Sequence, residues 1–268
     1  MNENEKKGKR SVMKVVNHLS YHGEYGFRGL GDLYLPDSVN SRTRAALLIH
    51  GGGWSALDKS SFAGVALYLC QDLGMAVYNI NYRLCGQAPW PACGDDCLEA
   101  GTFFLNASIP DFEGFDRSRI VIVGASAGGH LALMTGLRLP AERVAGIVSI
   151  SGIADIRSDF SLHPDRYEGL FGHEVSEKDL EEISPINWVS RESPPILCTH
   201  EYQDNVVPIA SAERFLEAAR ARGGRAEGFF YTMNESGISH RIWIPDSTPH
   251  KLYPCLEERL AAFIQKVM

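Results

Sequence analysis

VGASAGGH, residues Val123 to His130, sets one serine among small residues at the seam between two patterns. Before it, Arg119-Ile-Val-Ile-Val-Gly124 is a continuous apolar run of the kind a buried strand shows. After it, Leu131-Ala-Leu-Met-Thr-Gly-Leu137 is helical in character. A strand that turns directly into a helix forces its corner residue into a strained backbone, and small neighbours avoid the collision of side chains. Gly124-Ala-Ser126-Ala-Gly128 fits G-x-S-x-G, a turn that lifts a serine hydroxyl clear of a sheet and leaves it by the positive end of the next helix. A tight structural turn fits the same five residues. Ser126 therefore needs partners before it is a candidate nucleophile.

Outward from the turn, strands and helices alternate. Strands are expected at Asp32–Pro36, Ala45–His50, Met75–Tyr82, Ile120–Val123, Val144–Ser149, Pro195–Thr199 and Ala226–Thr232. Helices are expected at Ser60–Asp72, Asp95–Asn106 and Leu252–Val267. A further helix over Pro208–Arg222 carries Ala212, Phe215, Leu216 and Ala219 on one face and is stopped by Gly223-Gly224. This alternation predicts an α/β fold with a mostly parallel central sheet and helices on both faces. Residues 154–194 break the rhythm: they are polar and contain Pro164, Pro185 and Pro194. A long insert of this kind in a compact domain is usually functional. It is expected to cap the site of a single domain spanning residues 1–268.

Bulk chemistry narrows the function. The 268 residues are 44% hydrophobic and 22% charged, ordinary for a globular chain with a sizeable core. A net charge of −7 disfavours a nucleic-acid partner, and the basic block Lys6–Arg10 reads as a solvated tail. No apolar run approaches the roughly 18 residues of a membrane span. The basic start is followed by no apolar leader, because Lys14, Asn17 and His18 interrupt Val12–His22, so a cytoplasmic protein is expected. Cys70 and Cys198 lie in apolar stretches and read as core residues. Cys93 and Cys97 bracket Asp95 and Asp96, but no second ligand pair accompanies them, so no metal is expected. A disulfide among Cys85, Cys93 and Cys97 is open on spacing and disfavoured by the missing leader.

A serine hydroxyl attacks only when a base takes its proton, and the oxyanion it creates needs donors. His50-Gly51-Gly52-Gly53-Trp54 follows an apolar strand, and its glycines let the N–H groups of Gly52 and Gly53 face a cavity. The N–H of Ala127 is a third candidate donor. His50 precedes the serine and reads as an anchor of that loop. In the strand–elbow–helix arrangement the acid follows the serine and the histidine comes last. His240, in a short polar loop after the strand ending at Thr232, is favoured as the base over His250. Asp204, in the loop before the helix at Pro208, is favoured as the acid over Glu201; a plain helix cap is its other reading. His130, one turn beyond Ser126, reads as a packed helix residue. Trp54, Trp90 and Trp188 read either as pocket lining or as packing.

Together these stretches carry a resemblance. DLYLP (Asp32–Pro36), HGGGW (His50–Trp54), NYRL with APWPA (Asn81–Ala92), GASAGGHLAL, SPINWV with SPPIL (Ser184–Leu197), DNVVP (Asp204–Pro208) and the late Ser239-His240 occur in order. The chain resembles the α/β-hydrolase esterases of the hormone-sensitive-lipase and acetyl-xylan/feruloyl-esterase type, from Asp32 to the C-terminus. The resemblance implies a serine hydrolase of short-chain carboxylic esters, small or carbohydrate-borne, needing no cofactor. It implies Ser126, Asp204 and His240 as triad, Gly52, Gly53 and Ala127 as oxyanion hole, and Asp96 as a structural acid bracing neighbouring loops. Glu201 stands where relatives usually carry glycine, and Ser239 and Arg241 replace the small residues that usually flank the histidine. Two other readings remain: an amide-cleaving hydrolase on the same scaffold (an arylformamidase or small peptidase), and a non-catalytic module on a hydrolase fold.

Overall fold

The structure, a computed structural model, describes residues 13–232, 240–243 and 251–268. The block Lys6–Arg10, Ser239 and His250 lie outside the described residues. Within them the strands are β1 (Lys14–Ser20), β2 (Leu30–Leu35), β3 (Arg44–Ile49), β4 (Ala76–Ile80), β5 (Asp116–Ala125), β6 (Val144–Ile150), β7 (Ile196–Glu201) and β8 (Ala226–Tyr231). The helices are α1 (Ala63–Leu67), α2 (Ala92–Asn106), α3 (Ala127–Arg138), α4 (Ile156–Phe160), α5 (Pro164–Phe171), α6 (Glu177–Ile183), α7 (Ala210–Ala221) and α8 (Pro254–Val267). One sheet runs β1-β2-β4-β3-β5-β6-β7-β8. β2 pairs antiparallel with both β1 and β4, and every pairing from β4 to β8 is parallel.

The apolar runs of the central strands are continuous because both faces are covered. On β3, Ala45, Leu47 and Ile49 enter one core while Ala46 and Leu48 enter the other. β5 divides likewise, Ile120 and Ile122 against Val121 and Val123. Phe104 of α2, Leu131 of α3 and Phe215 of α7 close the first core; Val65 of α1 and Leu256, Leu260 and Phe263 of α8 close the second. Each fully buried Leu, Ile or Phe contributes roughly 1.5–3 kcal/mol of apolar transfer. Parallel register brings Ile49 beside Gly124, Gly124 beside Ser149, and Ser149 beside Cys198. The loops leaving β3, β5 and β7 therefore emerge at one edge of the sheet.

Three segments differ from the sequence reading. β1 was not expected: it is an edge strand whose residues are mostly half-buried or exposed, so it lacks an apolar run. The helix expected at Ser60–Asp72 is three pieces, a 3₁₀ turn at Lys59–Phe62, α1, and a π turn at Tyr68–Asp72. Asp58 tightens its start by accepting the Ser60 N–H at 2.8 Å. Its end widens as Leu73 N–H reaches back to Tyr68 O, which feeds the chain into β4. The stretch 154–194 holds α4, α5 and α6, each of only 5 to 8 residues.

The 51–62 segment is pinned to the sheet by a buried polar cluster. Lys59 donates its backbone N–H to Asn81 Oδ1 at 2.7 Å, and Asn79 donates to Lys59 O at 2.7 Å. The buried Lys59 ammonium meets Asp32 Oδ2 at 2.9 Å. Removing one partner of a buried pair leaves the other charge uncompensated, whereas replacing both by apolar groups is often neutral. Lys59→Met is expected to lose about 3–5 kcal/mol in urea unfolding, and Asp32→Leu with Lys59→Met to recover at least half of it. A single variant as stable as the parent would show that the pair does not anchor this segment.

Candidate active site

Between β5 and α3, Ser126 holds φ 55° and ψ −125°, a backbone shape that L-residues rarely adopt. Its N–H donates to Ile150 O at 2.8 Å, and its carbonyl accepts the His130 N–H at 3.1 Å, so both sides of the corner are bonded. The flanking glycines are imposed by backbone contact. A Cβ on Gly124 would stand 2.0 Å from Gly128 O, and one on Gly128 would stand 2.2 Å from Ile49 O and 2.4 Å from His50 O. The strand end, the helix start and the glycine loop after β3 thus meet with no room for a methyl group.

His240 bridges the elbow and the loop after β7. Its Nε2 lies 2.9 Å from Ser126 Oγ and its Nδ1 lies 2.8 Å from Asp204 Oδ2. An ionised carboxylate only accepts, so Nδ1 carries the proton and Nε2 is bare toward the serine hydroxyl. Trp243 packs edge-on against the ring at 5.4 Å.

Asp204 divides its oxygens between two tasks. Oδ1 accepts the N–H groups of Val206 at 2.9 Å and Val207 at 3.0 Å. Oδ2 faces His240 and, at 3.3 Å, Nε2 of the buried His200. That His200 nitrogen also donates to Val207 O at 2.7 Å, which fixes the ring. Burial by itself raises the carboxyl, but the hydrogen bonds from His200, His240 and Val207 outweigh it and hold Asp204 well below the usual carboxylate range. One oxygen thus holds the turn of its own loop and the other faces the imidazole, and the plain helix-cap reading of Asp204 is not met. Ile209, not Asp204, caps α7. Glu201, its competitor, ends β7 and turns a carboxylate oxygen to the Gln203 N–H at 2.5 Å. His200 was not singled out in the sequence; four residues before Asp204, its spacing was the available signal.

Gly52 and Gly53 follow β3 with φ of +115° and +57°. A Cβ on Gly52 would strike Ala56 O at 2.2 Å, because Gly52 O accepts the N–H groups of Ser55 and Ala56 in a tight turn. The loop backbone lies directly beside the elbow: a Cβ on Gly51 would sit 3.2 Å from Ser126 Cβ. Ala127 opens α3, and first-turn N–H groups have no intrahelical acceptor. His50 is buried, donates Nδ1–H to Gly51 O at 2.6 Å and stacks on Tyr82 at 4.3 Å, while Tyr82 OH donates to His50 O. It anchors the loop, as expected. Asp96 braces the neighbouring loop by accepting from Arg83 N at 2.7 Å and Nη2 at 2.6 Å.

The remaining candidates have defined places. Trp54 is fully buried, Trp90 half-buried and Trp188 exposed. Cys93 and Cys97 are buried, unbridged thiols on α2, and burial raises both. Among the described residues no group of three or more His, Cys, Asp or Glu is disposed to hold a metal ion, and no helix is long and apolar enough to cross a membrane. An acid-oriented imidazole on a strained serine hydroxyl, flanked by N–H donors, can drive acyl transfer through a covalent intermediate.

The BD-FAE family model matches residues 31–218. The chain is 27% identical over 222 residues to LipM of Mycobacterium tuberculosis, described as a probable carboxylic ester hydrolase; the match covers 75% of this chain and 51% of that one. It is 34% identical over 138 residues to ethyl acetate hydrolase of Pseudomonas putida, covering 51% of this chain and 43% of that one. A truncated carbohydrate esterase from gut microbiota has a solved structure with TM-score 0.71 and 25% identity, covering 81% of this chain and 87% of the other. This likeness and the sheet order establish the α/β-hydrolase fold. The chain spans about half the length of the first curated relatives it matches.

Burial lowers the pKa of His50 and of His130 to about 4 each. The unfolded chain, with histidines near 6.5, takes up these protons first, so the stability they provide is complete above about pH 6.5 and drains as pH falls toward 4. Asp204, depressed from 3.8, adds its own loss only below that range. Urea unfolding from about pH 7 to about pH 4.5 is expected to lose roughly 2 kcal/mol per histidine. A flat stability across that window would contradict two buried neutral imidazoles.

Proposed function

The chain belongs to the BD-FAE family, and we propose that it is a serine carboxylic ester hydrolase acting on short acyl esters, acetyl or of similar size, small or carbohydrate-borne. One observation carries the reading: a single imidazole, His240, lies within hydrogen-bond reach of Ser126 Oγ on one side and Asp204 on the other. The short acyl group and the carbohydrate alcohol are supported by the likeness to ethyl acetate hydrolase and to the gut carbohydrate esterase.

In this reading Ser126 Oγ attacks the ester carbonyl carbon as His240 Nε2 takes its proton. Asp204 keeps the proton on Nδ1 and favours the imidazolium that forms. The oxyanion rests on the N–H groups of Gly52, Gly53 and Ala127. His240 then gives its proton to the leaving alcohol, and water, deprotonated by the same nitrogen, releases the acid from the acyl-enzyme. Residues 154–194 act as the cap of a single domain. Tyr167 of α5 packs on Trp54 at 5.7 Å, and Arg166 reaches Val206 O at 3.5 Å, so the insert abuts both the glycine loop and the acid loop.

The test is hydrolysis of p-nitrophenyl esters from acetyl to octanoyl by the parent chain and by Ser126→Ala. The parent is expected to prefer the shortest esters, and the variant to lose roughly 10⁴-fold or more of turnover while folding normally. A parent that ignores every ester yet takes a fluorophosphonate on Ser126 would move the substrate to amides. A parent that does neither would mark a non-catalytic module.

A further inference from the structure

The glycine loop presents a structural difficulty. Gly51, Gly52 and Gly53 have no side chains by which to hold their N–H groups in place, yet oxyanion donors must stand within a few tenths of an ångström of position. The residue that follows them, Trp54, is fully buried and has φ +57°. Its indole Nε1–H donates to His130 Nδ1 at 3.2 Å, with the two rings edge to face at 5.3 Å. Its carbonyl accepts the Cys85 N–H at 2.9 Å.

His130 is itself fixed on every side. It stands on α3 one turn after the nucleophile, and its backbone N–H donates to Ser126 O at 3.1 Å. Its Nε2 lies 2.8 Å from Ile183 O, at the end of α6 in the insert. Trp54 can only donate and a carbonyl can only accept, so Nδ1 is bare and Nε2 carries the proton: one neutral tautomer satisfies both partners. Leu, Met or Phe would fill the same volume and leave the indole N–H and the Ile183 carbonyl buried without partners.

We propose that His130 is the positioning residue that sets the oxyanion loop against the nucleophile, through its Nδ1 bond to Trp54. The proposal rests on the ester-hydrolase reading of Ser126. His130 touches no reacting atom. It ties the loop that would hold the oxyanion to the same helix turn that carries the serine, so donor and nucleophile share one rigid reference.

Side-chain isosteres separate this role from mere packing. His130→Asn places an amide oxygen near the position of Nδ1 and keeps an acceptor for Trp54. His130→Gln extends its amide toward Nε2 and Ile183 O and loses that acceptor. Trp54→Phe removes the donor and keeps a ring. With p-nitrophenyl acetate, His130→Gln and Trp54→Phe are each expected to lower kcat roughly 10-fold or more with KM within about 3-fold, and to slow fluorophosphonate labelling of Ser126 in parallel. His130→Asn is expected to rescue most of that loss, and the double variant His130→Gln with Trp54→Phe to be no slower than either alone. Near-ultraviolet circular dichroism checks that each variant folds; if His130→Gln does not, Trp54→Phe against His130→Asn carries the comparison. The proposal is overturned if His130→Gln or a folded Trp54→Phe keeps the parent kcat, if His130→Asn falls as far as His130→Gln, or if the double variant shows the product of the single losses. A parent that neither hydrolyses esters nor takes the label at Ser126 would instead overturn the hydrolase reading, and this inference with it.

Discussion

The structure turns on a crossing of bare backbone. At Gly128 the first turn of α3 lies against the carbonyls of Ile49 and His50, closer than any Cβ could tolerate. At Gly124 the end of β5 presses on Gly128 O in the same way. Such contact welds the end of β3, the end of β5 and the start of α3 into one unit. The strained φ of Ser126 is a consequence: the chain has no gentler path from strand to helix within so short a turn. The cost of that strain, of order 1–3 kcal/mol, is offset by the paired strands and by the buried α3 on either side. Because the weld is made of backbone, it fixes where the Ser126 Cα–Cβ bond points, whatever the rotamers of neighbouring side chains.

Electrostatics complete what geometry begins. A carboxylate facing an imidazole must be both ionised and aimed. Asp204 achieves the first by collecting donors that outweigh its burial, and the second by committing Oδ1 to Val206 and Val207. His200 supplies a further donor to Oδ2 from inside the core, where no solvent competes with it. By contrast His50 and His130 are held neutral by burial, each in a hydrogen bond that a neutral ring can make. Four histidines thus stand near the site in different electrostatic settings, and only His240 reaches Ser126 Oγ.

Much of this was legible in the sequence, for physical reasons that can be named. The parallel strands are buried on both faces, so their apolar runs are unbroken and easy to read; β3, β5, β6 and β7 fall where expected within a few residues. The glycines of G-x-S-x-G, and Gly51 and Gly52 of the glycine run, are legible because backbone contact leaves no room for a Cβ. The expected partners Asp204 and His240 lie together with Ser126, although their separation in sequence hides the contact. The antiparallel edge strand β1 was not legible, since an edge strand exposed to solvent has no need of apolar residues. Nor was the splitting of the Ser60–Asp72 helix, whose 3₁₀ start and π end rest on single backbone bonds that leave no mark in the apolar pattern. The insert was read as polar and irregular, yet it carries local signals: Pro164 at the first turn of α5 and a Ser176–Asp179 capping box at α6. Its helices are too short for a periodic apolar face to stand out.

The insert also illustrates how a fixed chemical apparatus can coexist with a changeable surround. The elbow is held by backbone contact, and the acid loop by its own turn together with Arg166 of the insert, which reaches Val206 O. The glycine loop differs, because Trp54 leans on Tyr167 of α5 and, through His130, on Ile183 of α6. Under the proposed reading, a substitution in the insert that leaves these two contacts intact spares the glycine loop. One that disturbs them reaches the oxyanion donors and alters the rate for every ester. The Tyr167–Trp54–His130–Ile183 chain is therefore a route by which a change in the insert is felt at the glycine loop.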